Sequence, residues 1–142
     1  MNTDLMFSSA SNEWATPQAF FNELDKEFNF TLDPCATKEN AKCNLYFTID
    51  QDGLKQDWKG HVTFVNPPYG REIKHWVKKC YEESLKPNTK VVMLIPARTD
   101  TVYFHNFIYR RSEIRFIKGR LKFGDSKNSA PFPSMVVIFE TK

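Results

Sequence analysis

Residues 62–97 constrain the fold more than any other part of the chain. VTFV (62–65) is a β-branched apolar run, REIKHWVKKCYEESL (71–85) has helical periodicity, and KVVMLIPA (90–97) is apolar throughout. In the middle segment Ile73, Trp76, Val77, Cys80 and Leu85 share the inward face, and Arg71, Lys74, Lys78 and Lys79 the outward one. A strand, a crossover helix and a continuously apolar strand predict two parallel neighbours, the second buried on both faces. The flanks extend this pattern. TPQAFFNELDKEF reads as a helix with Thr16 as N-cap, Pro17 as its first residue, and Phe20, Phe21, Leu24 and Phe28 as its stripe. FNFTLD (28–33) alternates as a strand, residues 37–47 allow a short helix, and DGLKQDWKG (52–60) reads as a loop. TDTVYFHNFIYRR (99–111) reads as a helix with Asp100 near its cap. EIRFIKGRLKFG reads as a hairpin and PSMVVIFE as a last strand. The prediction is an α/β fold with a mostly parallel sheet, a C-terminal antiparallel hairpin and helices on both faces.

In such sheets ligands bind beyond the carboxyl ends of the strands. Two polar, proline-containing stretches fall at such ends: Asp33-Pro34-Cys35-Ala36 and Asn66-Pro67-Pro68-Tyr69. Paired prolines stop a strand and make a rigid turn. On neighbouring strands, the two stretches predict one cleft.

Bulk properties exclude several classes. No run approaches the roughly 20 apolar residues of a membrane span, and the first residues lack the basic flank and apolar core of a signal peptide. The expectation is a soluble, cytoplasmic protein, with a loose tail over residues 1–12 and one domain over 13–142. Cys35, Cys43 and Cys80 fit neither a disulfide framework nor a zinc ribbon, and His61, His75 and His105 pair with no cysteine at ligand spacing. No metal site is expected, and the cysteines are expected reduced and buried.

Charge is divided unevenly. Residues 1–60 hold five Lys and ten acids, whereas residues 61–142 hold fifteen Lys or Arg and seven acids. Residues 110–127 alone carry seven basic groups against Glu113 and Asp125. Such asymmetry points to two partners of opposite sign, and the aromatic interleaving in RRSEIRFIKGRLKFG points to nucleic acid.

The stretches WATPQAFF, LDPCATKENAKC, DGLKQDW, NPPYGREIKHWV, MLIPARTDT and FIKGRLKFG together resemble the phage-type DNA N6-adenine methyltransferase family. The resemblance implies an abbreviated Rossmann-like methyltransferase sheet, S-adenosylmethionine as cofactor, double-stranded DNA as partner and, for a phage-encoded chain, the bacterial host cytoplasm. It implies that Asn66, Pro67, Pro68 and Tyr69 are catalytic. It places Trp14, Thr16, Pro17, Asp33, Pro34, Cys35 and Ala36 against the cofactor, with Asp52 and Asp57 (ahead of Asp50) as candidates for the ribose contact. The chain departs from the family pattern twice. PCATKEN lacks the usual glycines, and only 32 residues separate Asp33 from Asn66, too few for a full methyltransferase sheet.

The chemistry explains the residue types. Adenine N6 is a weak nucleophile because its lone pair is delocalised into the ring. Acceptors on both N–H groups, the Asn66 amide oxygen and the Pro67 carbonyl, localise that pair, and proline rigidity keeps both in place. Tyr69 is expected to stack on an extruded base, returning roughly 1–3 kcal/mol against an extrusion cost of a few kcal/mol. Arg71 and Arg98 are expected beside that base, and Arg115, Lys118, Arg120 and Lys122 against the DNA backbone or in a groove. Two other readings share these features: a protein glutamine N-methyltransferase, and a DNA-binding module with a degenerate cofactor site.

Overall fold

The computed structural model describes residues 14–124 and 129–141. The tail expected over residues 1–12 lies outside them. Among the described residues two α-helices, α1 (Gln18–Phe28) and α2 (Ile73–Ser84), accompany four strands: β1 (Val62–Val65), β2 (Lys90–Pro96), β3 (Glu113–Phe116) and β4 (Ser134–Glu140). The sheet order is β1-β2-β4-β3. β1 and β2 are parallel, as the crossover predicts. β4 runs antiparallel to both β2 and β3, so the sheet is mixed and not mostly parallel.

The expected hairpin does not form. β3 pairs with β4 and not with residues 120–123. The reason is burial: β4 is buried from Ser134 to Phe139, and a strand that apolar needs a partner on each side. β3 is therefore drawn to its free edge. Residues 28–33 form no full strand either. Asn29 turns left-handed at φ 57, and the Asp25 carboxylate takes the Phe30 N–H at 2.9 Å. Only Leu32 and Asp33 make parallel bridges, to Thr63 and Tyr46.

Residues 37–47 fold as turns before that bridge. The expected helix over 99–111 shrinks to a short piece ending in a π-helical turn, Phe104–Ile108, entered through Thr101, whose Oγ1 accepts the Phe104 N–H at 3.3 Å.

Helices cover both sheet faces. Phe64, Val92 and Ile138 are register partners on one face, and Phe139 points to the other. Phe21 of α1 packs edge-on to Phe64 at 5.1 Å, and Tyr81 of α2 packs on Phe139 at 6.2 Å. Two positions of α2 differ from the periodic reading. Leu85 caps the helix end and is exposed. Lys79 is drawn inward, over the Trp58 ring and onto Glu83 at 3.2 Å. Glu83 is itself buried. Burial raises its pKa, but Lys86, the Trp58 N–H and Lys79 outweigh that and hold it below the usual range. Among the described residues no helix is long and apolar enough to cross a membrane.

Candidate active site

β1 ends at Val65, and Asn66-Pro67-Pro68 opens onto a cavity of ≈ 430 Å³. Four chain segments wall it: Trp14–Thr16, Asp33–Lys38 with Asn40 and Lys42, the stretch Thr48–Gly53, and Asn66–Pro68 over Phe64 and Trp76. Of the residues expected at the cofactor, Trp14, Thr16, Asp33, Pro34, Cys35, Ala36 and Asp52 all line this cavity. Pro17 does not; it is the N-cap of α1, one position later than expected. Asp57 lies outside, exposed and paired with Lys86 at 2.8 Å. Sequence reasoning missed Lys42, Asn40 and Ile49, which reach the cavity by turns that no periodicity marks.

Local bonding fixes the walls. The backbone of Asp33 pairs both ways with the 45–47 segment, its N–H to Leu45 O and its carbonyl to Phe47 N. Its carboxylate accepts from Cys35 N at 3.3 Å and Lys42 N at 3.0 Å. Burial pushes this carboxyl up to about 6, against the pull of those N–H groups and the Lys42 charge. Burial likewise pushes the Cys43 thiol up to about 12, with Asp33 and Asp25 adding to the rise, so it stays protonated and inert.

The glycine absent from PCATKEN comes from the neighbouring turn, packed directly on Pro34. A Cβ on Gly53 would stand 2.0 Å from the Pro34 carbonyl oxygen, so only glycine allows this approach. Trp58, fully buried, pins the same turn by donating its indole N–H to Gly53 O at 3.0 Å. Asp52 enters the turn left-handed and accepts from Leu54 N at 3.2 Å.

Asn66 is held at both ends of its amide. Nδ2 donates to the Trp14 carbonyl and, at 2.8 Å, to Thr16 Oγ1. Oδ1 lies 2.8 Å from the Tyr69 hydroxyl, which is also 3.1 Å from the Leu94 carbonyl. Burial raises the Tyr69 phenol well above its usual range, so it remains a proton donor at neutral pH. The Pro67 carbonyl accepts no hydrogen bond among the described residues. Tyr69 is buried, with Phe123 and Phe132 edge-on to its ring at 6.2 and 5.6 Å. The same two rings clasp Trp14 at 5.6 and 5.2 Å. Phe123 and Phe132 thus cover the tyrosine expected to meet a base.

The basic residues divide. Arg115 is clamped bidentately by Glu27 at 2.7 and 2.6 Å and bonded to Glu113 at 2.7 Å. Arg71, Arg98, Lys118, Arg120 and Lys122 are all exposed, and none of the five forms an ion pair among the described residues.

A cleft at the carboxyl end of a parallel pair is where open α/β sheets bind small ligands, and acceptors presented there suit an enzyme acting on an amine. The family model for DNA N-6-adenine-methyltransferase (Dam) matches residues 5–142, and the chain belongs to that family. It is 33% identical over 137 residues to the DNA N-6-adenine-methyltransferase of Haemophilus phage HP1 (strain HP1c1), covering 91% of this chain and 79% of that one. It is 32% identical over 111 residues to the enzyme of the same name from Escherichia phage T1, covering 76% and 45%. A putative methyltransferase of Escherichia coli (strain K12), YfdM, is 34% identical over 65 residues, covering 41% and 71%.

Proposed function

We propose that this chain methylates the exocyclic N6 of adenine in double-stranded DNA, within the cytoplasm of a bacterial host, with S-adenosylmethionine in the ≈ 430 Å³ cavity beside Asn66. The volume lies within the roughly 300–1,000 Å³ of small-molecule sites. The donor set fits the cofactor. Asp33 is a buried carboxylate that accepts from the Cys35 and Lys42 backbone N–H groups, and a cationic ligand group would further stabilise its charge. When bound, S-adenosylmethionine supplies an electrophilic methyl group on a sulfonium centre.

The observation that carries the reading is the state of Asn66. Its NH₂ is tied off by Trp14 and Thr16, and its oxygen, holding one bond from Tyr69, keeps a second lone pair. That lone pair and the uncommitted Pro67 carbonyl are the two acceptors for the N–H groups of the amine. As the amine gains positive charge both contacts strengthen, which lowers the barrier and not merely the binding energy. Water takes the departing proton. Extrusion of the adenine, and its stacking on Tyr69, require Phe123 and Phe132 to withdraw from that ring.

Incubation of the full chain with labelled S-adenosylmethionine and either duplex DNA or host protein tests the reading. Label in DNA, recovered as N6-methyladenine, is the expected result. Label confined to protein glutamine, or cofactor binding without transfer, would contradict it.

A further inference from the structure

Thr16 belongs with the cofactor by resemblance, yet its hydroxyl is committed elsewhere. It is buried and accepts the Asn66 Nδ2 proton at 2.8 Å. We propose that Thr16 is a positioning residue that, with the Trp14 carbonyl, holds the Asn66 amide in its reactive orientation. This rests on the reading of Asn66 as the acceptor of the substrate amine.

A primary amide is nearly symmetric in shape, so its orientation is set by the groups around it. The Tyr69 hydroxyl does not discriminate. It donates to Oδ1 in the observed orientation, and with the amide flipped it accepts from Nδ2 while its proton goes to Leu94 O, 3.1 Å away. The Trp14 carbonyl does discriminate, because it only accepts; a flipped amide would set two carbonyl oxygens against each other. A flipped Asn66 would also present N–H groups where the substrate presents N–H groups, leaving the Pro67 carbonyl as the sole acceptor of the pair. The Trp14 carbonyl therefore sets the orientation, and the Thr16 hydroxyl, which could serve either one, adds the second bond that holds the amide there.

The pair is held firmly. Trp14 is clasped by Phe123 and Phe132, and the adjacent Ala15 carbonyl accepts the Gly124 N–H at 2.8 Å. Thr16 is the member whose side chain can be changed without touching the backbone acceptor. It satisfies the second Nδ2 proton, which would otherwise be left unpaired in a part-buried site.

Thr16→Val keeps the shape and removes the acceptor; Thr16→Ser keeps the acceptor and removes a methyl. At saturating cofactor and DNA, Thr16→Val is expected to lower kcat about tenfold, the scale of one lost buried hydrogen bond, and Thr16→Ser to restore it to within about twofold. The ligand-free protein gives a readout independent of turnover: the paired Nδ2 proton resonances of Asn66 in a ¹⁵N spectrum. Thr16→Val should shift one of that pair and speed its solvent exchange, while Thr16→Ser leaves both near their wild-type positions. Unchanged melting temperature and DNA affinity show that the variants are folded. Wild-type kcat and unmoved Asn66 resonances in Thr16→Val would overturn the proposal, as would equal losses in the Val and Ser variants. Should Asn66→Ala itself retain wild-type kcat, the reading of Asn66 fails instead, whatever Thr16 does.

Discussion

The wall of the cavity, residues 31–53, and the outer face of the chain, residues 113–124, both carry charges that read as functional, yet the fold treats them oppositely. In the wall, Asp33 is sunk into the interior and held by backbone N–H groups, so its charge is costly and directed. On the outer face, Arg115 is absorbed by Glu27 and Glu113, whereas Lys118, Arg120 and Lys122 extend into solvent. A buried single charge has few uses other than meeting a ligand. An exposed cation acts only if no acid has claimed it.

The largest effect separates catalysis from binding. Asn66→Ala should slow single-turnover methyl transfer by about 10²–10³-fold, the scale of losing one preorganised polar contact. Cofactor affinity by calorimetry should stay close to wild type, because the proposed function assigns the cofactor's charge to Asp33 and not to Asn66. A folded variant that loses affinity tenfold would merge the two roles.

Asp33→Ala should weaken S-adenosylmethionine binding by tenfold or more and leave DNA affinity alone. The wild-type protein should show the same dependence through pH. The Asp33 carboxylate is present above about 6 and lost below it, so cofactor affinity should fall about tenfold from pH 7 to pH 5, and flat affinity would remove Asp33 from the site. Stability of the ligand-free protein should move the other way. The folded pKa lies above the unfolded one, so the favourable contribution is complete below about 3.8 and lost as pH rises through about 6. The span is about 3 kcal/mol, readable by urea titration across that window.

On the outer face the test is salt. Replacing Arg120 and Lys122 by alanine should flatten the slope of log DNA affinity against log salt by nearly two, at about 0.9 per phosphate contact. Arg115→Ala should leave the slope unchanged, since its guanidinium is already occupied. Equal effects from all three would erase the distinction between claimed and free cations. Smallest of all, Asp57→Asn should leave cofactor affinity within about twofold of wild type, measured beside Asp52→Asn, which should weaken it more.

These contrasts also mark what the sequence makes legible. Asn66-Pro67-Pro68 and Asp33-Pro34 are local signals, because proline and the end of a β-branched run dictate the turn wherever the partners lie. The parallel β1–β2 pair is legible for the same reason. Partner choice over distance is not. β3 prefers β4 because β4 is apolar enough to need two neighbours, a fact about the whole sheet and not about EIRFIKGRLKFG. Arg115 meets Glu27 across 88 positions, so a local count of charges overstates the free ones. The glycine that permits close backbone approach is Gly53, packed on Pro34 but distant from it in sequence, and not a residue of PCATKEN itself.

Hydrogen–deuterium exchange of the full chain, with each ligand in turn, tests the division between the two regions most directly. S-adenosylmethionine alone should slow exchange in residues 33–42 and at Gly53–Leu54, and duplex DNA alone should slow it in residues 117–124. Protection of residues 33–42 by DNA without cofactor, or a cofactor effect confined to the outer face, would contradict the account.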